Sequence, residues 1–433
     1  MKAVIMAGGK GTRISALNAE LPKPLIEVCG KPIIEYGLDC LHANGIDDVI
    51  IVTGHLGEKI SDYFGDGSRL GMNISYFHET EPLGTAGALF YLKDKLSSDF
   101  LLLNGDIIYN VDFSRMTAFH KEKGAACTLL THPNSHPYDS ALIITDADAR
   151  VTEWLHKEEP RGDCKNRVNA GIHLLSRAVL ERLTEPKKND LDREILKPLV
   201  ATNSVFAYDS PEYVFDVGTP ERHAQVTRDV LSGKVAARNL INKQPAVFAD
   251  RDGTLNVEKS FLSNIDDMEL ISDAAEAVAR VNKSDYLLIV ITNQPVIARG
   301  DCSLEELEGI HNRLETLLGK EGAYIDGLYF CPHHPDKGFE GERAEYKIEC
   351  ACRKPKPGMI LEAAARYNID LSRSYMIGDR ASDVLCGINA GCKAVFIGTK
   401  EKLLENEDAR KYAEAVPCVA SFNEFVETIL KLG

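Results

Sequence analysis

Two aspartates one residue apart, Asp250 and Asp252, follow the short apolar run AVFA at 246–249 and precede the turn residues Gly253 and Thr254. Such a run reads as a buried parallel strand, and open α/β sheets bind ligands beyond the carboxyl ends of their strands. A carboxylate there can attack phosphorus, while a second one two residues on serves as acid and base around the same phosphate. Magnesium is then needed to hold the anions together. A strand ending in an Asp-Gly turn is also common without any such chemistry, so the pair takes its meaning from the rest of the chain. A second group has softer donors: CPHH at 331–334 is followed after fifteen residues by CAC at 350–352. Cys331, His333, Cys350 and Cys352 suit a tetrahedral zinc ion with no position left for an activated water, so that metal is structural. His334 is the alternative imidazole. A third stretch, GGKGTR at 8–13, follows an apolar run. Gly8, Gly9 and Gly11 permit close backbone approach, and the amides around Thr12 can cradle phosphate oxygens. Arg13 and Lys23 add fixed positive charge for a polyphosphate. No Gly-Lys-Ser/Thr closes a Walker A loop here, and Ile14 stands where a dinucleotide fingerprint needs its third glycine.

The elements that position these residues follow from periodicity. Apolar runs at 3–6, 49–53, 74–77 and 100–103 read as strands alternating with helices, one of them at 32–43 with proline at its start and Asn44-Gly45 at its end. In the second half a helix at 274–281 leads to a strand at 286–291, Ser303 and Glu306 form a capping box, and a strand at 375–377 precedes another helix. The order is that of mostly parallel sheets covered by helices. With 433 residues the chain is long enough for two domains, expected at 1–235 and 246–433 with a polar linker at 236–245. An excess of acidic residues, 65 against 50 basic, argues against nucleic acid as a partner. No apolar run reaches membrane-spanning length, and the start lacks the pattern of a signal peptide; a cytoplasmic protein is expected. Eleven cysteines, an odd number in a long chain, do not describe a disulfide scaffold.

At DRDGTLN (250–256), TNQ (292–294), RKPKPG (353–358) and IGDRASD (377–383) the second half resembles the haloacid dehalogenase superfamily of phosphatases, whose four motifs occur in order. The resemblance implies Asp250 as the nucleophile forming a phosphoaspartate and Asp252 as the acid that protonates the leaving oxygen and then activates water. It implies Thr292 and Asn293 at the transferring phosphate, Lys354 as the neutralising cation and Arg353 at substrate phosphate or hydroxyls. Magnesium is expected on Asp250, Asp379 and the carbonyl of Asp252, with Asp383 in support. The zinc loop narrows the resemblance to the branch containing D,D-heptose 1,7-bisphosphate phosphatases and histidinol phosphatases.

The first half, through GGKGTR with PKP (22–24), EPLGTAGAL (81–89), LLLNGD (101–106), VNAGI (168–172) and FDVGTPE (215–221), resembles the sugar-1-phosphate nucleotidyltransferases. In that family a sugar-phosphate oxygen attacks the α-phosphorus of a nucleoside triphosphate and pyrophosphate leaves. The resemblance implies magnesium on Asp106 and Asp216, stabilisation of pyrophosphate by Arg13 and Lys23, and sugar contacts from Asn169 and Gly171. WLHK at 154–157 stands where the family commonly has Phe-x-Glu-Lys. Lys157 can keep its phosphate role, but His156 replaces the glutamate and its hydroxyl contact is not carried over. Glu79, five residues before Gly84, stands about where the family reads the base. A carboxylate accepts from both the N1–H and the amine of guanine, whereas uracil offers one donor, so GTP is favoured; a solvated glutamate is the alternative. Together the halves imply a bifunctional α/β enzyme: a Rossmann-like mixed sheet with helices on both faces, then a haloacid dehalogenase-like Rossmannoid domain with a zinc loop. Its expected partners are a nucleoside triphosphate and heptose phosphates, its expected ions Mg2+ and Zn2+. UTP, CTP or another sugar phosphate, or a histidinol-phosphate-type phosphatase with a sugar-nucleotide-sensing first half, are the competing readings.

Overall fold

Apolar runs without polar alternation make the centre of each sheet, because both faces are covered. The computed structural model describes residues 1–9, 20–338 and 340–432, so Gly11, Thr12 and Arg13 lie outside the described residues. Two units are resolved: Met1–His132 with Ala141–Lys157 and Arg167–Asn239, and Pro133–Ser140 with Glu158–Asn166 and Leu240–Gly433.

The first unit is built on a nine-stranded mixed sheet. Its parallel part runs Phe100–Asn104, Lys2–Met6, Asp48–Thr53, Asn73–His78, close to the expected strands. Alternate residues enter opposite cores: Ala3, Ile5, Leu101 and Leu103 on one face, Val4, Ile50, Phe100 and Leu102 on the other. That period of two is why the runs are continuously apolar. Helix Ile33–Ala43 starts behind Pro32, as expected, and buries Ile33, Ile34, Leu38 and Leu41. Lys2–Met6 pairs with Asp48–Thr53 on one side and Phe100–Asn104 on the other, so the connections diverge at its carboxyl end. A crevice opens at such a switch point. Beyond Phe100–Asn104 the sheet turns antiparallel through Val168–Leu175, and a separate ribbon pairs Tyr213–Asp216 with Ile107–Asn110, register Asp216↔Ile107.

The second unit has a six-stranded parallel sheet, in order Gly327–Cys331, Leu287–Asn293, Ala246–Ala249, Tyr375–Gly378, Lys393–Ile397, Cys418–Val419. Ala246–Ala249 is central and fully buried. Val247 and Ala249 face one core, Ala246 and Phe248 the other. The strand expected at 286–291 continues through Thr292 and Asn293, which sets both at the same sheet edge as Asp250. The Ser303/Glu306 capping box is present at the start of Leu304–Lys320. Residues 240–245, read from sequence as polar connector, pack within this unit: Leu240 and Gln244 are buried, and the Gln244 backbone exchanges hydrogen bonds with Asn368 and Asp370. Among the described residues no helix is long and apolar enough to cross a membrane.

Candidate active sites

In the second unit Asp250 leaves the central strand with its amide bonded to Ile377 and its carboxylate almost wholly buried. Lys354 Nζ meets Asp250 Oδ1 at 2.8 Å and Asp383 Oδ1 at 2.6 Å, and donates to the Ile291 carbonyl at 2.8 Å. The lysine is set there by Asn293, whose side chain accepts from the Lys354 amide and donates to its carbonyl. Burial pushes Asp250 up to about 6; Lys354 opposes that shift, and Asp383 and Asp252 add to it. For Lys354 burial works downward, but Asp250 and Asp383 carry the net shift upward. Lys354 is therefore a buried cation with two carboxylate partners, either of which keeps it from being an uncompensated buried charge.

Asp379 is brought alongside by the end of the neighbouring strand. A Cβ on Gly253, whose φ is +73°, would lie 2.6 Å from Asp379 Oδ2, so only glycine permits this approach. Oxygens of Asp250, Asp379 and Asp383 all lie within 4.8 Å of one another. Lys354 serves Asp250 and Asp383, while Asp379 Oδ1 is buried with no hydrogen-bond partner among the described residues. Three crowded carboxylates with one cation and one orphan oxygen fit a divalent ion held by Asp250 and Asp379. Were Asp250 the nucleophile that the sequence resemblance implies, it would have to be ionised for attack, and phosphate release should fall as pH drops through a limb at or below about 6. Asp383→Asn removes an adjacent anion, lowers the Asp250 pKa and should move that limb to lower pH; a limb that stays put in the pH–rate profile would disconnect Asp383 from Asp250.

Asp252 is held by residues to which sequence reading gave no role. Arg251 Nη2 donates to both carboxylate oxygens at 2.9 Å, Gln294 Nε2 to Oδ2 at 2.9 Å and Asn256 Nδ2 to Oδ1 at 3.0 Å. Burial raises its pKa, but Arg251 and these hydrogen bonds outweigh it, leaving Asp252 below its usual value. Thr292 is buried and accepts from Gln294 at 2.8 Å. Asp252, Thr292 and Gln294, with Arg353, Arg380, Ser260 and Phe261, line a cavity of roughly 240 Å³.

Arg353 follows the cysteine cluster directly and donates to the His333 carbonyl at 3.0 Å. The three Sγ atoms of Cys331, Cys350 and Cys352 lie 3.2–3.5 Å apart, and His333 Nδ1 is 3.4 Å from Cys352 and 3.7 Å from Cys331. Disulfide sulfurs would sit at about 2.0 Å, whereas a tetrahedral ion with ~2.3 Å bonds separates its thiolates by about 3.8 Å. The four donors thus form a site that could hold a tetrahedral metal, with His334 turned instead toward Asp336. Stripping metal with a strong chelator, or Cys352→Ser, should lower the unfolding temperature of this unit by at least about 5 °C; unchanged melting would mean the cluster holds no ion.

In the first unit Gly8, Gly9, Lys23, Glu79, Gly84 and Asp106 line one cavity of roughly 1080 Å³ beyond the ends of the parallel strands. Glu79 follows Asn73–His78, its amide bonded to the Thr53 carbonyl. A Cβ on Gly8 would lie 2.8 Å from Glu79 Oε2. The other oxygen, Oε1, is buried without a hydrogen-bond partner among the described residues, and burial raises the carboxyl pKa. Gly84 has φ +78°, and a Cβ there would sit 2.4 Å from the Asn189 carbonyl.

Asp106 and Asp216 are brought together by the ribbon, where Val217 donates its amide to the Asp106 carbonyl. Lys23 Nζ lies 2.6 Å from Asp106 Oδ2 and 3.4 Å from Asp216 Oδ1, and Arg222 Nη1 lies 2.6 Å from Asp216 Oδ2. The lysine ammonium stands in for a cation between two carboxylates, so the pair fits a divalent ion. Arg222 carried no sequence signal.

Asn169 and Gly171 are one wall removed from this cavity. A Cβ on Gly171, φ +72°, would meet the side chain of the lining residue Asn104 at 2.4 Å. Asn169 Oδ1 accepts from the Gly171 amide and contacts His173 Nε2, while its Nδ2 is 3.5 Å from Asp192, a carboxyl that burial and then Asp190 push up to about 6. Lys157 is exposed beside the buried His156 and is not among the cavity-lining residues.

Each unit therefore presents an acidic, cation-ready anion site where the strands of an α/β sheet end, the class of architecture that handles phosphate groups. Residues 2–233 match the nucleotidyl transferase family and residues 351–424 the HAD-hydrolase-like family. The chain belongs to the nucleotidyl transferase family through its first half and carries a HAD-like hydrolase domain in its second. It is 32% identical over 255 residues to the probable mannose-1-phosphate guanylyltransferase 1 of Oryza sativa subsp. japonica, covering 58% of this chain and 68% of that one. It is 38% identical over 176 residues to the D-glycero-beta-D-manno-heptose-1,7-bisphosphate 7-phosphatase of Vibrio cholerae serotype O1, covering 41% of this chain and 90% of that one. The corresponding phosphatase of Pasteurella multocida is 40% identical over 172 residues, covering 40% of this chain and 90% of its own.

Proposed function

We propose that the chain is a bifunctional enzyme of nucleotide-activated heptose synthesis. The second unit hydrolyses the 7-phosphate of D-glycero-D-manno-heptose 1,7-bisphosphate, and the first joins the resulting 1-phosphate to GMP from GTP, releasing pyrophosphate. One observation carries this reading: a domain related over 90% of a heptose bisphosphate 7-phosphatase shares a chain with a nucleotidyl transferase domain. The product of the first reaction is a sugar 1-phosphate, the substrate class of the second. Histidinol phosphate offers the partner domain nothing.

In the phosphatase, an Asp250 oxygen attacks phosphorus and the ester oxygen departs with a proton from Asp252, which takes that proton up on leaving its Arg251 pairing, since the paired carboxyl is held below its usual value. Asp252, now a carboxylate, takes a proton from the water that attacks the phosphoaspartate, and phosphate leaves with Asp250 restored. Lys354 keeps the nucleophile ionised and offsets charge on the phosphoryl group. Thr292 and Asn293 close the phosphate site, and Arg353 faces the remainder of the substrate. Magnesium held by Asp250, Asp379 and the Asp252 carbonyl would neutralise the phosphoryl oxygens. Cys331, His333, Cys350 and Cys352 would hold zinc, which would fix the loop that presents Arg353 and Lys354.

In the transferase, the sugar-phosphate oxygen attacks the α-phosphorus in line, with Arg13 and Lys23 stabilising pyrophosphate; the family resemblance, rather than the cavity lining, assigns Lys157, Asn169 and Gly171 to the sugar phosphate. Asp106 and Asp216 would hold magnesium between the two anions. Glu79 supports guanine, because it lines the cavity and its carboxylate keeps one oxygen without a hydrogen-bond partner among the described residues, so two N–H donors of that base would suit it.

The test is a substrate panel. Purified protein is offered ATP, GTP, CTP and UTP with heptose 1-phosphate and with mannose 1-phosphate, and phosphate release is compared between heptose bisphosphate and histidinol phosphate. GTP with heptose 1-phosphate should give the highest kcat/KM, and Glu79→Gln should lower the preference for GTP at least about tenfold. Equal use of all four triphosphates would remove guanine from the reading. Mannose 1-phosphate preferred over the heptose would make the first unit the mannose-type enzyme to which its relatives point.

A further inference from the structure

The Lys23 ammonium lies where a cation between Asp106 and Asp216 would lie, at 2.6 and 3.4 Å from their oxygens. It arrives there on a stiff support. Pro22 and Pro24 flank it, the turn Lys23–Leu25 is buried, and the Ile26 amide closes the turn on the Lys23 carbonyl. The backbone is thus fixed, and only the flexible four-carbon stem can move the charge. Asp216 has two different neighbours: its Oδ2 is held at 2.6 Å by Arg222, while its Oδ1 faces Lys23. If Lys23 leaves, Arg222 still anchors the carboxylate, and Asp216 Oδ1 and Asp106 Oδ2 are left facing the vacated position. Lys23 lines the same cavity as the glycine turn Gly8-Gly9, so a triphosphate seated there offers the ammonium a more highly charged partner than two separate carboxylates.

We propose that Lys23 is an exchangeable occupant of the transferase cation site: it neutralises Asp106 and Asp216 until nucleotide binds, then moves to the phosphates and cedes the position to the divalent ion. This rests on the transferase reading and adds an order to it, since the carboxylate pair becomes a strong cation site only in the presence of a triphosphate. Nucleotide and divalent ion therefore bind with positive coupling through one side chain, and by linkage the coupling is reciprocal. The pair does not trap a metal in the resting enzyme.

The test uses the full chain carrying Asp379→Asn, which weakens the second unit's cation site, with Mn2+ as the probe and free Mn2+ read by electron paramagnetic resonance in the absence of nucleotide. Adding Lys23→Met should tighten Mn2+ binding about tenfold or more, and Lys23→Gln should do the same. Lys23→Arg, which keeps a cation on the site, should stay near the parent, and Asp106→Asn should abolish the gained binding. If neither neutral variant binds Mn2+ more tightly while Asp106→Asn still lowers binding, the exchange is overturned and the metal site stands. If Asp106→Asn changes nothing in any background, Asp106 is not a ligand, and the exchange falls together with the transferase metal reading.

Discussion

Asp250→Asn should abolish phosphate release from heptose 1,7-bisphosphate, by at least about a thousandfold in kcat, and leave pyrophosphate release from GTP and heptose 1-phosphate within about twofold. An amide cannot form the phosphoaspartate, and no neighbouring group can take its place: Asp383 is committed to Lys354 and Asp252 to Arg251 and Gln294. The substitution should not unfold the unit. Asp250 is a buried carboxyl whose pKa lies above its ordinary value because burial disfavours its charge, so a neutral isostere relieves that cost. It does leave Lys354 with Asp383 alone, which keeps that buried lysine paired. Loss of both activities, or an unchanged phosphatase, would contradict this assignment; a coupled assay of phosphate and pyrophosphate on one preparation reads both.

What was legible beforehand was what repeats locally. Runs such as Val49–Val52 and Leu287–Ile291 stay apolar because each residue enters one core or the other, and that signal needs no tertiary information. Aspartates at strand ends could likewise be placed at a sheet edge, and the cysteines grouped by donor type. Side-chain pairings between distant segments were not legible. Lys23 and Asp216 are 193 positions apart, and nothing in PKP or FDVGTPE says that the lysine lies against the carboxylates. Arg222 lies in the first turn of the helix Pro220–Leu231, beyond the strand that Asp216 ends, on a segment where any surface arginine would look the same. Arg251 sits between the two aspartates in plain view, yet its alternating strand position suggests a side chain pointing away; it is fully buried and curls onto Asp252. Gln294 belongs to a quoted motif, but its hold on Asp252 depends on two strands lying side by side. Residues 240–245 looked polar enough for a tether because Gln244 is polar, and its main chain and amide are satisfied inside the unit.

Asp106→Asn should do the reverse of Asp250→Asn: pyrophosphate release falls on the order of a thousandfold, the several kcal/mol that a bound divalent cation contributes to a transferring phosphoryl group, while phosphate release is spared. The geometry says why one substitution suffices. Asp216 has one oxygen engaged by Arg222, so without Asp106 a single free carboxylate oxygen remains, too little charge to draw the ion from water. Lys23 then loses its 2.6 Å partner and keeps a 3.4 Å one, which frees it for the phosphates; nucleotide binding should persist, or tighten, as turnover collapses. That split, low kcat with KM for GTP not raised, separates loss of the ion from loss of the nucleotide pocket. A rise in KM for GTP with kcat retained would instead place Asp106 among nucleotide contacts. Asp216→Asn should resemble Asp106→Asn in kcat, and Arg222→Met should weaken the apparent affinity for magnesium with little change at saturating ion, because the arginine orients a ligand and does not supply one.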